Sequence, residues 1–255
     1  MHVEHGASGF SDNVLVMLPR IERAMPTIQT ACANLEMVNQ YAQGDWDKYA
    51  MLIGLLAQHD TLTMAHTEQV VAYTQSMLGI IEELAHEQSE TYDAMYKRIM
   101  SCEPVMGAAL HDIGKLFVPR YILNRREKNN ITPEEHDLLV SHGCMGRIIA
   151  EHLDLPQSLI PFLEKHYFHS QPEGLSGVPD DSYEALSVVA LADVASAIMI
   201  SRPYNTYLDP LQTVYRQVTD LIDDGVFPQS LRTPFERFYT HLASDNAIKS
   251  TEAVV

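Results

Sequence analysis

The sequence predicts an all-α protein, and three observations carry that expectation. Apolar residues recur at helical spacing along most of the 255 residues, helix-start signals precede several of these runs, and no segment shows convincing strand alternation. An apolar fraction of 46% is that of an ordinary globular protein, and the length suffices for one large core, or for one domain with an appendage. No internal repeat or low-complexity tract interrupts the chain.

Residues 1–10 read as a loose end. From Ser11 to Gln43 the residues Val14, Leu15, Leu18, Ile21, Met25, Ile28, Ala31, Leu35 and Val38 form a helical stripe, which Pro19 and Pro26 are expected to break or kink. A link over Gln43–Trp46 leads to a helix from Asp47 to Ala57. Residues 1–56 are thus an N-terminal helical appendage, and residues 57–245 form the main domain. Asp60 and Thr61 offer an N-cap for a helix over 63–86 that carries His66. A polar helix covers 87–100, and Glu103-Pro104 starts the helix that delivers His111 and Asp112. Thr132-Pro133-Glu134-Glu135 places a cap, a proline at the first helical position and acids in the first turn. That helix is expected to run to His142, with Gly143 after it. Residues 145–153 are helical, and Pro156 opens a helix ending near His166. Two prolines and two glycines make 170–181 a loop. Residues 183–200 form a strongly apolar helix interrupted by one acid, Asp193. After 201–205, helices over 210–224 and 230–243 close the domain.

Charge excludes some functions. Seventeen Lys and Arg against thirty-four Asp and Glu give a net charge of −17, which argues against DNA, RNA and anionic membranes as partners. A small anionic ligand would need local relief, from a metal or from a few placed basic residues. Cys32, Cys102 and Cys144 lie far apart and form no CxxC pair, so they read as reduced core residues of a cytoplasmic protein. No apolar run is expected to reach the length of a membrane span, and the N-terminus lacks a basic-then-apolar signal pattern.

The stretch Gly107–Pro119, GAALHDIGKLFVP, sets the adjacent pair His111-Asp112 at the end of a small apolar run. A buried, unpaired carboxylate is costly, and imidazole with carboxylate makes a good site for a divalent cation. Lys115, one turn on, supplies a charge suited to phosphate. His66, His142, His166 and Asp193 lie on or at the ends of other helices. Helical bundles commonly build metal centres from side chains on facing helices in this way. Asp193 stands in the apolar run SVVALADVASAIMI, so its carboxylate is expected to face the core and to need a cation.

The order His66, His111-Asp112, Asp193 resembles the H…HD…D pattern of the HD superfamily of metal-dependent phosphohydrolases. HDIGKLFVP, Ile122-Leu123, ITPEEHDLLVSH with Gly146, ADVASAIMISRPY and GVFPQSL…F are similar to one branch, the HD-GYP domains, which are cyclic-di-GMP phosphodiesterases. The likeness covers about residues 57–238 and implies an HD-domain helical bundle. It implies two divalent metal ions, iron or manganese being favoured. His66, His111, Asp112 and Asp193 would hold one, and Asp112 as a bridge with His142 and His166 the other. It also implies that Lys115 touches the phosphate or donates a proton to the leaving oxygen, and that Arg202 sits near the substrate or braces the loop above it. The ligand would be a cyclic dinucleotide or another small phosphate-containing molecule.

This chain departs from that branch at defined places. The family's paired histidines are His166-Tyr167 here, with His169 three residues on as a weaker candidate ligand. A glutamate that some members carry before the first histidine is Leu62, and an arginine after it is Gln69. The Gly-Tyr-Pro signature gives way to Ser170-Gln171-Pro172, while PEGLSG is kept. Two alternatives therefore stand beside the enzyme. One is a degenerate module that senses a nucleotide or docks a protein, with a homodimer or a protein partner meeting the N-terminal helices. The other is a general HD phosphohydrolase of mononucleotides.

Overall fold

Helix ends are set largely by local chemistry that the sequence displays. In the computed structural model, which describes residues 8–88, 90–124, 131–170, 178–200 and 209–252, the chain is all-α, and no strand occurs among these residues. The helices are α1 (Ser8–Tyr41), α2 (Asp45–His59), α3 (Thr61–Gln88), α4 (Glu90–Met100), α5 (Pro104–Leu110), α6 (Arg120–Leu123), α7 (Pro133–Val140), α8 (His142–His152), α9 (Ile160–Lys165), α10 (Tyr183–Met199), α11 (Pro210–Asp223) and α12 (Arg232–Glu252). Asp60 begins α3 by accepting from the Thr63 main-chain N–H at 2.9 Å and from its hydroxyl at 2.7 Å. Thr132 and Glu135 form a reciprocal capping box at the start of α7, with Pro133 at its first position. Asp209 caps α11 through the Gln212 N–H.

Two apolar clusters make the core. One gathers Met77, Ile81 and Leu84 of α3, Ile99 of α4, the buried face of α10, Val214, Val218 and Ile222 of α11, and Phe235 and Phe238 of α12. The other joins Ala31, Leu35 and Val38 of α1, Leu52 and Leu56 of α2, Ile149 of α8 and Leu163 of α9. The short helix α5 links them: Ala108 belongs to the first cluster, and Leu110 with Ile113 to the second.

Several sequence expectations are corrected. Helix α1 runs through both Pro19 and Pro26. An interior proline costs about 3 kcal/mol of helix stability, and at Pro26 the buried stripe Ala24, Ala31, Leu35 and Val38 offsets that loss by packing. The helix expected to end at His142 stops at Val140, and His142 opens α8 instead. Ser141 keeps helical angles between the two, so neither proline nor glycine marks the joint. Of the cysteines only Cys102 is buried. Asp180–Met199 does reach the length and hydropathy of a membrane span, but 78% of its apolar window is buried in the first cluster, as a core helix should be. Residues 171–177 of the expected loop, and the ends 1–7 and 253–255, lie outside the described residues.

Candidate metal centre

Five helices converge where the two clusters meet. His66 comes from α3, Asp193 from α10, His111-Asp112 from the turn after α5, His142 from the start of α8 and His166 from the end of α9. All six side chains are buried. His111 is fixed by its own helix: its Nδ1–H donates to the Ala108 carbonyl at 2.7 Å. His142 Nδ1–H donates to the Leu139 carbonyl, and His166 Nδ1–H to the Phe162 carbonyl at 2.9 Å. Each ring thereby bonds a carbonyl in the last turn of a helix, where intrahelical donors run out. With Nδ1 protonated, the neutral ring presents a bare Nε2 lone pair to the centre.

His66 is held differently. Its Nδ1–H meets the Ser196 Oγ at 2.9 Å, and the Ser196 hydroxyl donates to Gln69 Oε1, also at 2.9 Å. Ser196 lies one turn beyond Asp193 on α10. Outer partners of this kind orient a ligand and fix its tautomer. Sequence reasoning missed Ser196 and saw Gln69 only as a departure. The signal was present, since Ser196 is a second polar residue in the same apolar helix.

After Asp112 the chain tightens into a 3-10 turn, Ile113–Phe117, opened by Lys115 N–H donating to the Asp112 carbonyl at 2.9 Å. Residues three apart eclipse in such a turn. Lys115 Nζ therefore reaches Asp112 Oδ2, at 2.5 Å, and is itself buried. Gly114 lets this turn press onto α8, because a Cβ there would overlap the His142 carbonyl oxygen. Gly143 does the same between α8 and α9, where a Cβ would stand 2.9 Å from the Glu164 carbonyl oxygen. These two contacts bring His142 and His166 up to Asp112.

The inward-facing atoms form two triads, His66–His111–Asp112 and Asp112–His142–His166, in each of which the candidate ligand atoms lie within 4.8 Å of one another. Asp193 Oδ1 stands 2.8 Å from His66 Nε2 and 4.0 Å from His111 Nε2. Asp112 Oδ1 stands 3.3 Å from His142 Nε2 and 4.0 Å from His166 Nε2. The two latter nitrogens are 3.1 Å apart. Bare lone pairs that close repel unless a proton or a cation lies between them. His111 Nε2 and Asp112 Oδ1 are buried with no hydrogen-bond partner, a costly arrangement for polar atoms that a divalent cation would relieve. The residues fit a metal centre of nitrogen and carboxylate donors.

Electrostatics agree with this. Burial alone would raise the Asp112 carboxyl, yet Lys115 and His111 hold it well below the usual carboxylate range. Burial likewise opposes the Asp193 charge, and the His66 ring overrides it, lowering that carboxyl too. Both acids are therefore anionic. Burial pushes His66 down, and His166 well down with help from His111 and His142. In His111 burial is outweighed by Asp112, and the ring is raised.

His169 is placed outside both triads, its ring 6.3 Å from those of Tyr167 and Phe227. Tyr167 packs 4.5 Å from the His166 ring and 5.0 Å from that of His142. Arg202 lies outside the described residues.

No protein-family model matches this chain, and no curated protein does either. Solved structures do. The HD domain of the L. monocytogenes phosphodiesterase PgpH in complex with cyclic-di-AMP is 17% identical, with a TM-score of 0.53 over 76% of this chain and 95% of that one. The same HD domain in a second structure is 16% identical, with a TM-score of 0.52 over 76% of this chain and 98% of that one. Six buried imidazole and carboxylate side chains thus meet inside a bundle whose fold is that of an HD domain.

Proposed function

We propose that this protein is a metal-dependent phosphodiesterase of the HD superfamily, of HD-GYP type, that hydrolyses a cyclic dinucleotide. The carrying observation is Asp112, a single buried carboxylate shared by two histidine triads whose Nδ1 atoms are already committed. His66, His111, Asp112 and Asp193 would hold one divalent ion, and Asp112, His142 and His166 a second. Bound there, such ions supply Lewis acidity toward a phosphodiester and make water acidic enough to act near neutral pH. Lys115 orients the shared carboxylate, leaving its other oxygen turned toward His142. As a buried ammonium beside Asp112, it would also draw the substrate phosphate and give a proton to the leaving oxygen.

Both cyclic-di-GMP and cyclic-di-AMP are candidate substrates: the motif order favours the first, and the PgpH complex the second. Incubating iron- or manganese-loaded protein with each and resolving linear products tests the reading. Turnover of neither, at full metal occupancy, overturns it. A second reading, a nucleotide sensor or docking module without turnover, is favoured by Tyr167, an aromatic ring against His166 where the family pattern carries a histidine. Saturable nucleotide binding with no product would select it.

A further inference from the structure

Leu116 follows Lys115 in the 3-10 turn but lines a different space, a cleft of about 620 Å³ between α1, α2 and the corner that leads into α6. That volume is typical of small-molecule sites. In a chain with twice as many acids as bases, no carboxylate occurs among the cleft's described lining residues, and the fixed charges there are Arg23 and Arg120. The Arg120 guanidinium is tethered by donating to the Gln58 main-chain oxygen. A guanidinium has five N–H donors, so this tether leaves others for a ligand. Asn34 adds an amide, while Leu55, Leu116 and the ring of Tyr121 give the cleft an apolar wall. Two cationic forks beside an apolar wall recognise a small molecule with an anionic group and a hydrophobic body.

We propose that this cleft is a second small-molecule site, specific for an organic anion bearing phosphate or carboxylate and separate from the metal centre. Calorimetric titration of the full chain, stripped of metal by a chelator that is then dialysed away, tests it, with AMP, phenyl phosphate and citrate as probes and adenosine as the uncharged control. Saturable binding of at least one anion is expected, weakened at least tenfold by Arg23→Gln and by Arg120→Gln, with adenosine inert. Arg23 is exposed, so its variant reports binding without loss of fold; melting curves establish the same for Arg120→Gln. Lys115→Gln, which alters the metal centre, should leave the affinity unchanged. The proposal is overturned if none of the anions binds, if binding survives both arginine variants, if adenosine binds equally, or if Lys115→Gln abolishes binding. Phosphodiesterase activity enters none of these outcomes, so the two readings stand or fall separately.

Discussion

The two triads that meet at Asp112 are built from different material. His66 and Asp193 project from long helices, α3 and α10, sunk in the larger apolar cluster, and a side-chain relay through Ser196 and Gln69 steadies the ring. His142 and His166 stand at the ends of short helices, α8 and α9, in the smaller cluster, and main-chain carbonyls steady them. The first half depends on which side chains line a rigid helix pair. The second depends on how closely backbones can approach, which Gly114 and Gly143 decide. Substitutions should therefore damage the halves by separate routes.

The largest effect is expected where the halves join. Asp112→Ala removes the ligand common to both and leaves the Lys115 ammonium buried without its partner. Metal content should fall to background together with hydrolysis. In chelator the variant should lose about 3–5 kcal/mol of stability, read from denaturant melts; retention of a full metal complement would refute the shared role.

Gly114→Ala breaks the second half by geometry. The added methyl must push the turn away from α8, at a cost of about 1–3 kcal/mol as in other overpacked cores. Metal analysis should show the Asp112–His142–His166 ion weakened and the other kept. Equal weakening of both would mean that the two halves do not respond separately.

Ser196→Ala tests the first half. Losing an outer partner typically costs about 10–100-fold in metal affinity, and only the ion held by His66 should show it in a competition titration. The matching result, in which Gln69→Ala gives a smaller loss of the same kind, would place the relay in order.

The smallest effect is on pH. In metal-free protein His66 and His166 are lowered, so below about pH 6.5 the unfolded chain takes up protons that the folded one refuses, and stability drops as the solution is acidified. His111, raised, opposes this with a single ring. Below about pH 4 a second loss follows, because the stabilising effect of the depressed Asp112 and Asp193 carboxyls exists above their ordinary range and disappears as they protonate. Denaturant melts in chelator at pH 7, 5.5 and 3.5 should decline in that order, by roughly 1–3 kcal/mol in all; stability that rises on acidification would contradict the assignment of directions.

How much of this was legible beforehand follows from the same contrast. Asp193 could be found because a carboxylate in SVVALADVASAIMI breaks a pattern, and the capping residues Asp60 and Thr132 announced their helices. The long apolar helices were legible because burial repeats with the helical period. Ser196 escaped notice because a hydroxyl in a helix commonly bonds its own backbone, so the residue type alone carries little information. The joint at Ser141 escaped for another reason: helical angles continue through it, while the Ser141 hydroxyl and the His142 ring take the Leu138 and Leu139 carbonyls at the end of α7. Contacts between residues distant in sequence leave no local trace. Nor does periodicity alone reveal that α1 continues through Pro26, since the packing that offsets it belongs to α2 and to the turn after Asp112.

The helix-end histidines carry a thermodynamic consequence. Immobilising a flexible side chain at a binding event costs about 0.5–1.5 kcal/mol, and three of the rings here are immobilised by main-chain carbonyls three or four residues back as the chain folds. An arriving cation would find them aimed already, so its affinity would not be diminished by that ordering. Local fraying of α9, which releases the Phe162 carbonyl, would return the entropy to His166 and loosen the grip on whatever it holds.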